Sequence, residues 1–254
     1  MRYGVSIVSF CSQNQCCTLV IKRFLHNFAQ LKIVMNLMKS VDKKFRAARI
    51  WSNQELKTIA PHCKGAIINV SAWKDEDKEG AHYKDYFSNA DSYVISNYKA
   101  EARGFQGIEN EFFLDLTLEL APELENKFDV VYNHTSLEHI YEVEKAFQNL
   151  CLMSKDLVIV VVPFMQEMHG DYGDYWRFTP LALSKMYQKN GLEMIYCNFN
   201  NEPNTSVYIL AVGTTNAARW KNVLPDINKA GLGEDKKNDV AGYNLVRNKS
   251  KFGL

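Results

Sequence analysis

The sequence predicts an α/β domain built on a doubly wound, mostly parallel sheet that ends in an antiparallel hairpin, and three observations predict it. Short and nearly uninterrupted apolar runs recur between residues 66 and 162, as strands covered by helices on both faces require. A strongly amphipathic stretch separates the last two of these runs, so strands and helices alternate. The two final apolar runs are joined by a turn too short for a helical crossover, which forces an antiparallel pair.

Taken in chain order, residues 1–34 are rich in cysteine and β-branched residues but lack periodicity, and they are expected to be an appendage to the domain. Residues 35–62 are expected to contain a leading helix, because Val41, Phe45, Ala48, Trp51, Leu56 and Ile59 recur at roughly helical spacing until Pro61. The core domain is expected over residues 63–214. Its strands are read at Ala66–Val70, Tyr93–Ser96, Phe112–Leu114, Phe128–Tyr132 and Leu157–Val162. Between the last two, Thr135 and Glu138 have capping-box spacing, followed by the apolar stripe Ile140, Val143, Ala146, Phe147 and Leu150. A further helix is expected from Thr179-Pro180, with threonine as cap and proline in the first turn, to Asn190-Gly191. Leu192–Phe199 and Val207–Val212 then flank the turn-rich segment 200–204 and read as the closing hairpin. Residues 215–254, with the basic excess that follows Thr214, read as a solvated tail.

Composition excludes little but sets limits. The 254 residues carry a formal charge of +1, so no global field draws the chain to nucleic acid, and no nucleic-acid partner is expected. No apolar run is long enough to span a bilayer, so membrane insertion is not expected. The six cysteines form no C-x-x-C pair or zinc-ligand spacing, which reads as buried or free thiols, a cytoplasmic location and no metal site. His134 and His139 are five apart and do not share a helical face, again unlike a metal site.

Two segments carry a family resemblance: Phe128–Ile140, with its strand end Asn133-His134 and the following Leu137-Glu138-His139, and Val162-Pro163-Phe164 followed by His169 and Asp174–Pro180. Together they resemble the class I S-adenosylmethionine-dependent methyltransferases, a Rossmann-like fold, and in particular divergent bacterial members associated with glycan biosynthesis. The likeness runs from about Lys64 to Gly213. It implies S-adenosyl-L-methionine as cofactor, bound at the carboxyl ends of the strands where loops converge. By that resemblance Asn69, Ser71 and Ala72 lie beside the methionine portion, Asn97 takes the ribose position, Asp115 with Leu116 faces the adenine, and Asn133 and His134 complete the cofactor site. The first loop departs from the family pattern, having no glycine before Gly80, and Asn97 stands where a carboxylate is usual.

The resemblance implies methyl transfer, with O-methylation of a saccharide or related small-molecule acceptor as the expected reaction. A sugar hydroxyl benefits from a general base, and His169, in a loop beyond the fifth strand, is the first candidate. Asp174 is the alternative base or the group that orients the histidine. Tyr175, Trp176 and Arg177 are expected to bind the acceptor through aromatic faces and charge, while Glu138 reads as the partner in a capping box. The competing expectation is a methyltransferase-like binding or scaffold domain with little activity. A nicotinamide-dependent oxidoreductase is disfavoured because no G-x-G-x-x-G follows the first strand.

Overall fold

The computed structural model describes residues 46–99, 104–170, 173–200, 202, 205–220 and 223–224. The chain divides into a segment Met1–Ser40 and a unit Val41–Leu254; every described residue belongs to the second. The appendage expected at 1–34 and most of the tail expected at 215–254 lie outside the described residues.

Seven strands form one sheet: β1 (Gly65–Val70), β2 (Ala90–Asn97), β3 (Glu111–Phe113), β4 (Phe128–His134), β5 (Ser154–Met165), β6 (Glu193–Phe199) and β7 (Val207–Thr214). Their order is β3-β2-β1-β4-β5-β7-β6. Neighbours from β3 to β5 pair in parallel, whereas β7 runs antiparallel to both β5 and β6. This order and direction are those of the class I methyltransferase sheet. The ladders of β2 and β5 extend the apolar runs read from the sequence at both ends and those of β1, β4 and β7 at one end, whereas β3 stops before Leu114 and β6 starts one residue later than read.

Alternate strand residues build two cores because successive side chains point to opposite faces. On one face Ile68, Val131, Val158, Val160 and Ala211 pack beneath α2 (Val143–Met153) and α3 (Pro180–Lys189). On the other, Ile67, Val130, Tyr132, Ile159 and Leu210 pack with Leu56 and Ile59 of α1 (Arg46–Ile59), Tyr83 and Tyr86. Helix α3 begins as its sequence dictates: Thr179 accepts a hydrogen bond from Ala182 N at 3.1 Å, Pro180 opens the first turn, and Gly191 follows the end with φ +78°. A short helix α4 (Ala217–Trp220) opens the segment after β7. Its Trp220 is buried and donates through Nε1 to Asp156 at 2.9 Å.

The capping box expected at Thr135 and Glu138 does not form. Thr135 adopts φ +45° and its N–H donates to Val161 O at 2.7 Å, while Leu137–His139 makes only a 3-10 turn and α2 starts at Val143. The Glu138 carbonyl, which a continuing helix would use for residue 142, accepts instead from the N–H groups of Tyr175 (2.8 Å) and Trp176 (3.3 Å). A long-range loop contact has replaced a local helical one. The Glu138 side chain is thereby freed from capping.

The glycine-poor first loop nevertheless takes glycine-like backbone. Ser71, Trp73, Asp75 and Lys78 all have positive φ, between 53° and 68°. Two buried carboxylates hold it there: Asp75 accepts from Asn69 Nδ2, Lys84 N and Tyr93 OH, and Asp77 from the N–H groups of Glu79, Gly80 and Ala81 and from Tyr86 OH. Burial pushes the Asp77 carboxyl up, but these four donors outweigh it and hold it below the usual carboxylate range. A left-handed non-glycine residue costs about 1 kcal/mol, part of which glycine regains despite its greater unfolded-state entropy. Ser71→Gly is therefore expected to raise the unfolding free energy by roughly 0.5 kcal/mol, read as a higher urea midpoint at unchanged slope. A lowered midpoint would show that the serine hydroxyl does more for the loop than its backbone costs.

Candidate active site

The carboxyl ends of the parallel strands and the loops beyond them hold the residues singled out from the sequence, in two groups. Beyond β1, β2 and β3, Asn69 is buried, its Nδ2 donating to Asp75 Oδ1 at 2.8 Å while its Oδ1 has no hydrogen-bond partner. The N–H groups of Ser71 and Ala72 both donate to Ser96 O. Asn97 is consumed by the protein: its Oδ1 accepts from Trp73 N at 2.6 Å, and its Nδ2 donates to Trp73 O at 2.9 Å and to Glu111 Oε1 at 2.5 Å. It clamps the first loop to the end of β2. Asp115 is half-buried and accepts on Oδ1 from Thr117 N (2.9 Å) and Oγ1 (2.7 Å), a turn cap that engages one of its two oxygens in the contacts described. Leu116 is buried in the core beside it.

At the end of β4 the two neighbours go to opposite faces. Asn133 donates through Nδ2 to Val70 O (3.0 Å) and Ser136 Oγ (2.5 Å), and its buried Oδ1 has no hydrogen-bond partner. His134 turns toward α1, where Arg49 Nη1 lies 3.3 Å from its Nδ1 and Ser52 Oγ 3.0 Å from its Nε2. Tyr83, Tyr132 and Tyr208 surround the ring. Burial, followed by the Arg49 charge, holds His134 well below the ordinary imidazole range and so neutral. Both of its nitrogens already have protein neighbours.

The second group is the loop after β5. Asp174 receives Arg177 in a two-pronged pair, Nη1 to Oδ1 at 2.5 Å and Nη2 to Oδ2 at 2.7 Å. The same carboxylate accepts from His169 N at 3.0 Å and lies 3.5 Å from His169 Nδ1. The Arg177 hydrogen bonds hold the Asp174 carboxyl below the usual range, which makes it a weak base and a good orienting group. The His169 ring stands edge-on to His139 at 5.0 Å between centroids. His139 in turn is anchored at Nδ1 by Gly173 O, and its Nε2 lies 3.8 Å from Glu138 Oε1. Gly173 has φ +87°, and a Cβ there would fall 2.6 Å from the Tyr175 ring; no other residue fits without moving that ring.

Glu138 and His139, which the sequence reading gave no catalytic part, are thus built into this loop cluster. Glu138 is 1% exposed, its Oε2 has no hydrogen-bond partner, and burial pushes its carboxyl up to about 8. Burial also pushes His139 down, so the pair is neutral near pH 7. The available signal was an adjacent carboxylate and imidazole just past a strand's carboxyl end, a place the fold makes functional; the identical spacing of a capping box masked it. Outside the cluster, Tyr141, Tyr175 and Trp176 form an exposed aromatic surface, with Tyr141 and Tyr175 ring centroids 5.5 Å apart. Trp176 Nε1 donates to Ile140 O at 3.0 Å, fixing the indole while part of it stays open.

Among the described residues no group of three or more His, Cys, Asp or Glu is placed to hold a metal ion. No helix among them is long and apolar enough to cross a membrane. A cavity of about 460 Å³ lined by Glu144, Phe147, Lys185 and Lys189 lies on the α2 and α3 helices. Its lining comes from these two helices and the Asn190 cap of α3, so it shares no residue with the strand-end groups just described.

No family model matches the sequence, and no curated protein matches it. Similar solved structures include a Bacillus halodurans protein assigned as a methyltransferase, 13% identical, covering 64% of this chain and 97% of that one at a TM-score of 0.48. Magnesium protoporphyrin IX methyltransferase from Synechocystis, with bound S-adenosylmethionine, is 12% identical over 65% of this chain and 78% of its own, with a TM-score of 0.44. The 1,6-didemethyltoxoflavin-N1-methyltransferase of Burkholderia thailandensis, with bound S-adenosylhomocysteine, is 12% identical over 82% and 92%, at 0.44. The fold assignment rests on the order and direction of the strands.

Proposed function

We propose that this protein is an S-adenosyl-L-methionine-dependent methyltransferase acting on a small-molecule acceptor, with a saccharide hydroxyl as the acceptor class. The observation that carries the reading is the acid–base cluster of Glu138, His139, His169 and Asp174 at the carboxyl ends of β4 and β5 of a methyltransferase sheet. The cofactor fits the strand ends: Ser96 Oγ and Asn133 Oδ1, which the register sets on the same face of the sheet, are buried and without a hydrogen-bond partner, the condition in which an added polar ligand is welcome. Asn69, Ser71, Ala72 and Asn133 would line its amino-acid end, and Asn97, Asp115 and Leu116 its adenosine end, whereas His134, turned into the core beside α1, stands outside the site. Once bound, it supplies an electrophilic methyl group and its own leaving group.

The chain's own part is positioning and proton removal. His169 takes the acceptor's proton, Asp174 orients it, and Arg177 holds Asp174 in place. Tyr175 and Trp176, with Tyr141 beside them, offer ring faces to the C–H surface of a sugar. A cytoplasmic location accords with Cys63, Cys151 and Cys197, all free, buried and pushed by burial to about 12.

Calorimetric titration with S-adenosylmethionine tests the reading, and no heat of binding at millimolar ligand would sink it. Asp115→Ala is expected to weaken binding about tenfold, the scale of one hydrogen bond to a charged group, with an unchanged melting temperature. Unaltered affinity in that variant would remove Asp115 from the site. A second reading, a methyltransferase-like binding or scaffold domain, is favoured by Asn97, whose amide is tied up by Trp73 and Glu111. The same titration separates the two.

A further inference from the structure

The reading above gives one member of the acid–base cluster no chemical role. Glu138 is a buried carboxyl whose Oε2 meets no hydrogen-bond partner, and leaving such an atom unsatisfied costs free energy unless a ligand completes it. One turn earlier, Asn133 Oδ1 is likewise a buried acceptor without a partner, and the Asn133 amide donates to Ser136 within the same turn. Two orphan acceptors thus flank Ser136 at the carboxyl end of β4. The N–H groups of Tyr175 and Trp176, bound to Glu138 O, close the turn from the other side and keep it dry.

The charged groups around this carboxyl do not supply its missing partner. His139 Nε2 stands 3.8 Å from Oε1 on the same turn. From the loop after β5, Arg177 is bound in a two-pronged pair by Asp174, which also faces His169. From α1, Arg49 is directed to His134 and Thr135. What remains is an acceptor-rich, water-poor spot that suits a ligand cation.

We propose that Glu138 is the counter-charge to a sulfonium cofactor, giving up its proton to solvent as that cation binds. The inference rests on the methyltransferase reading and deepens it. The consequence is a site that senses the charge of the cofactor's sulfur. Before transfer it holds a positive sulfonium and a carboxylate. Afterwards it would hold a neutral thioether and a carboxylic acid, the proton being the one that His169 takes from the acceptor hydroxyl and gives up to solvent, from which Glu138 is reprotonated, while the acceptor oxygen keeps the methyl group. Charge is conserved through the cycle, and the product loses the partner that held the cofactor.

The sign of the linkage follows from the raised folded value of about 8. A cation that binds the ionised form binds more tightly as pH rises, by about tenfold per unit up to pH 8, and then levels off. At pH 7 a group titrating at about 8 is about nine-tenths protonated, so binding releases about 0.9 proton. The test is calorimetry at pH 7 in two buffers of different ionisation enthalpy, with S-adenosylmethionine and with its neutral-sulfur product S-adenosylhomocysteine, on wild type and Glu138→Gln. Wild type should release about 0.9 proton with the first ligand beyond any released with the second. The excess should vanish in Glu138→Gln, a variant that matches the neutral carboxyl in shape and separates the carboxyl from the ligands' own amino groups. Binding of S-adenosylmethionine without that excess, or an excess that persists in the variant, overturns the inference and leaves the methyltransferase reading standing. If neither ligand binds wild type, the reading itself falls and the inference with it.

Discussion

His169→Ala should lower the rate of methyl transfer about a hundredfold or more at saturating cofactor and acceptor, the usual effect of removing a general base. The geometry behind this expectation is specific. The backbone N–H of His169 donates to Asp174, whose carboxylate lies 3.5 Å from the ring Nδ1, and Asp174 is fixed in turn by both Arg177 nitrogens. Removing the ring leaves the Asp174–Arg177 pair intact, so the fold and cofactor affinity should be nearly unchanged. That separation is the diagnostic feature: a loss confined to the turnover rate marks a proton-transfer role, whereas a matching loss of cofactor affinity would mean that the ring merely shapes the pocket. Full activity in the variant would shift the base to His139, whose ring stands 5.0 Å away.

The largest expected effect on stability lies in the core beneath α3. Tyr187 is completely buried, packs edge-on against Phe147 at 4.9 Å, and donates from its hydroxyl toward Val158 O (3.1 Å) and Ala211 O (3.2 Å). Those carbonyls belong to β5 and β7, so one side chain from α3 pins the antiparallel strand beside its parallel neighbour. Gly213 leaves the room: a Cβ there would come within 2.2 Å of the Tyr187 ring. Truncating a buried aromatic costs about 3–5 kcal/mol. Tyr187→Ala should therefore lower the melting temperature by about 10 °C, at roughly 2–4 °C per kcal/mol for a domain of this size. Tyr187→Phe keeps the ring and should lose only about 1 kcal/mol. Equal losses in both variants would place the stabilisation in the hydroxyl rather than in packing.

The sequence by itself determined the elements and their kind. Apolar runs such as Ala66–Val70 and Leu157–Val162 have the length and bounding of strands buried on both faces, Thr179-Pro180 carries the cap and first-turn signals of a helix start, and the short link between the last two runs suits antiparallel strands. These follow from local periodicity and turn chemistry, which depend on residues close together in the chain. Tertiary structure decided the rest. It inserted β7 between β5 and β6, an order set by long-range pairing that no local signal encodes. It ended the Thr135–Glu138 capping box by giving the Glu138 carbonyl to Tyr175 and Trp176, an outcome that depends on a loop more than thirty residues away. It turned His134 into the aromatic core beside α1 and left Glu138 buried without a hydrogen-bond partner for one of its oxygens. Burial and charge environment are sums over non-local neighbours, so a motif of four residues reads alike whether its carboxylate caps a helix in water or stands protonated in a dry site.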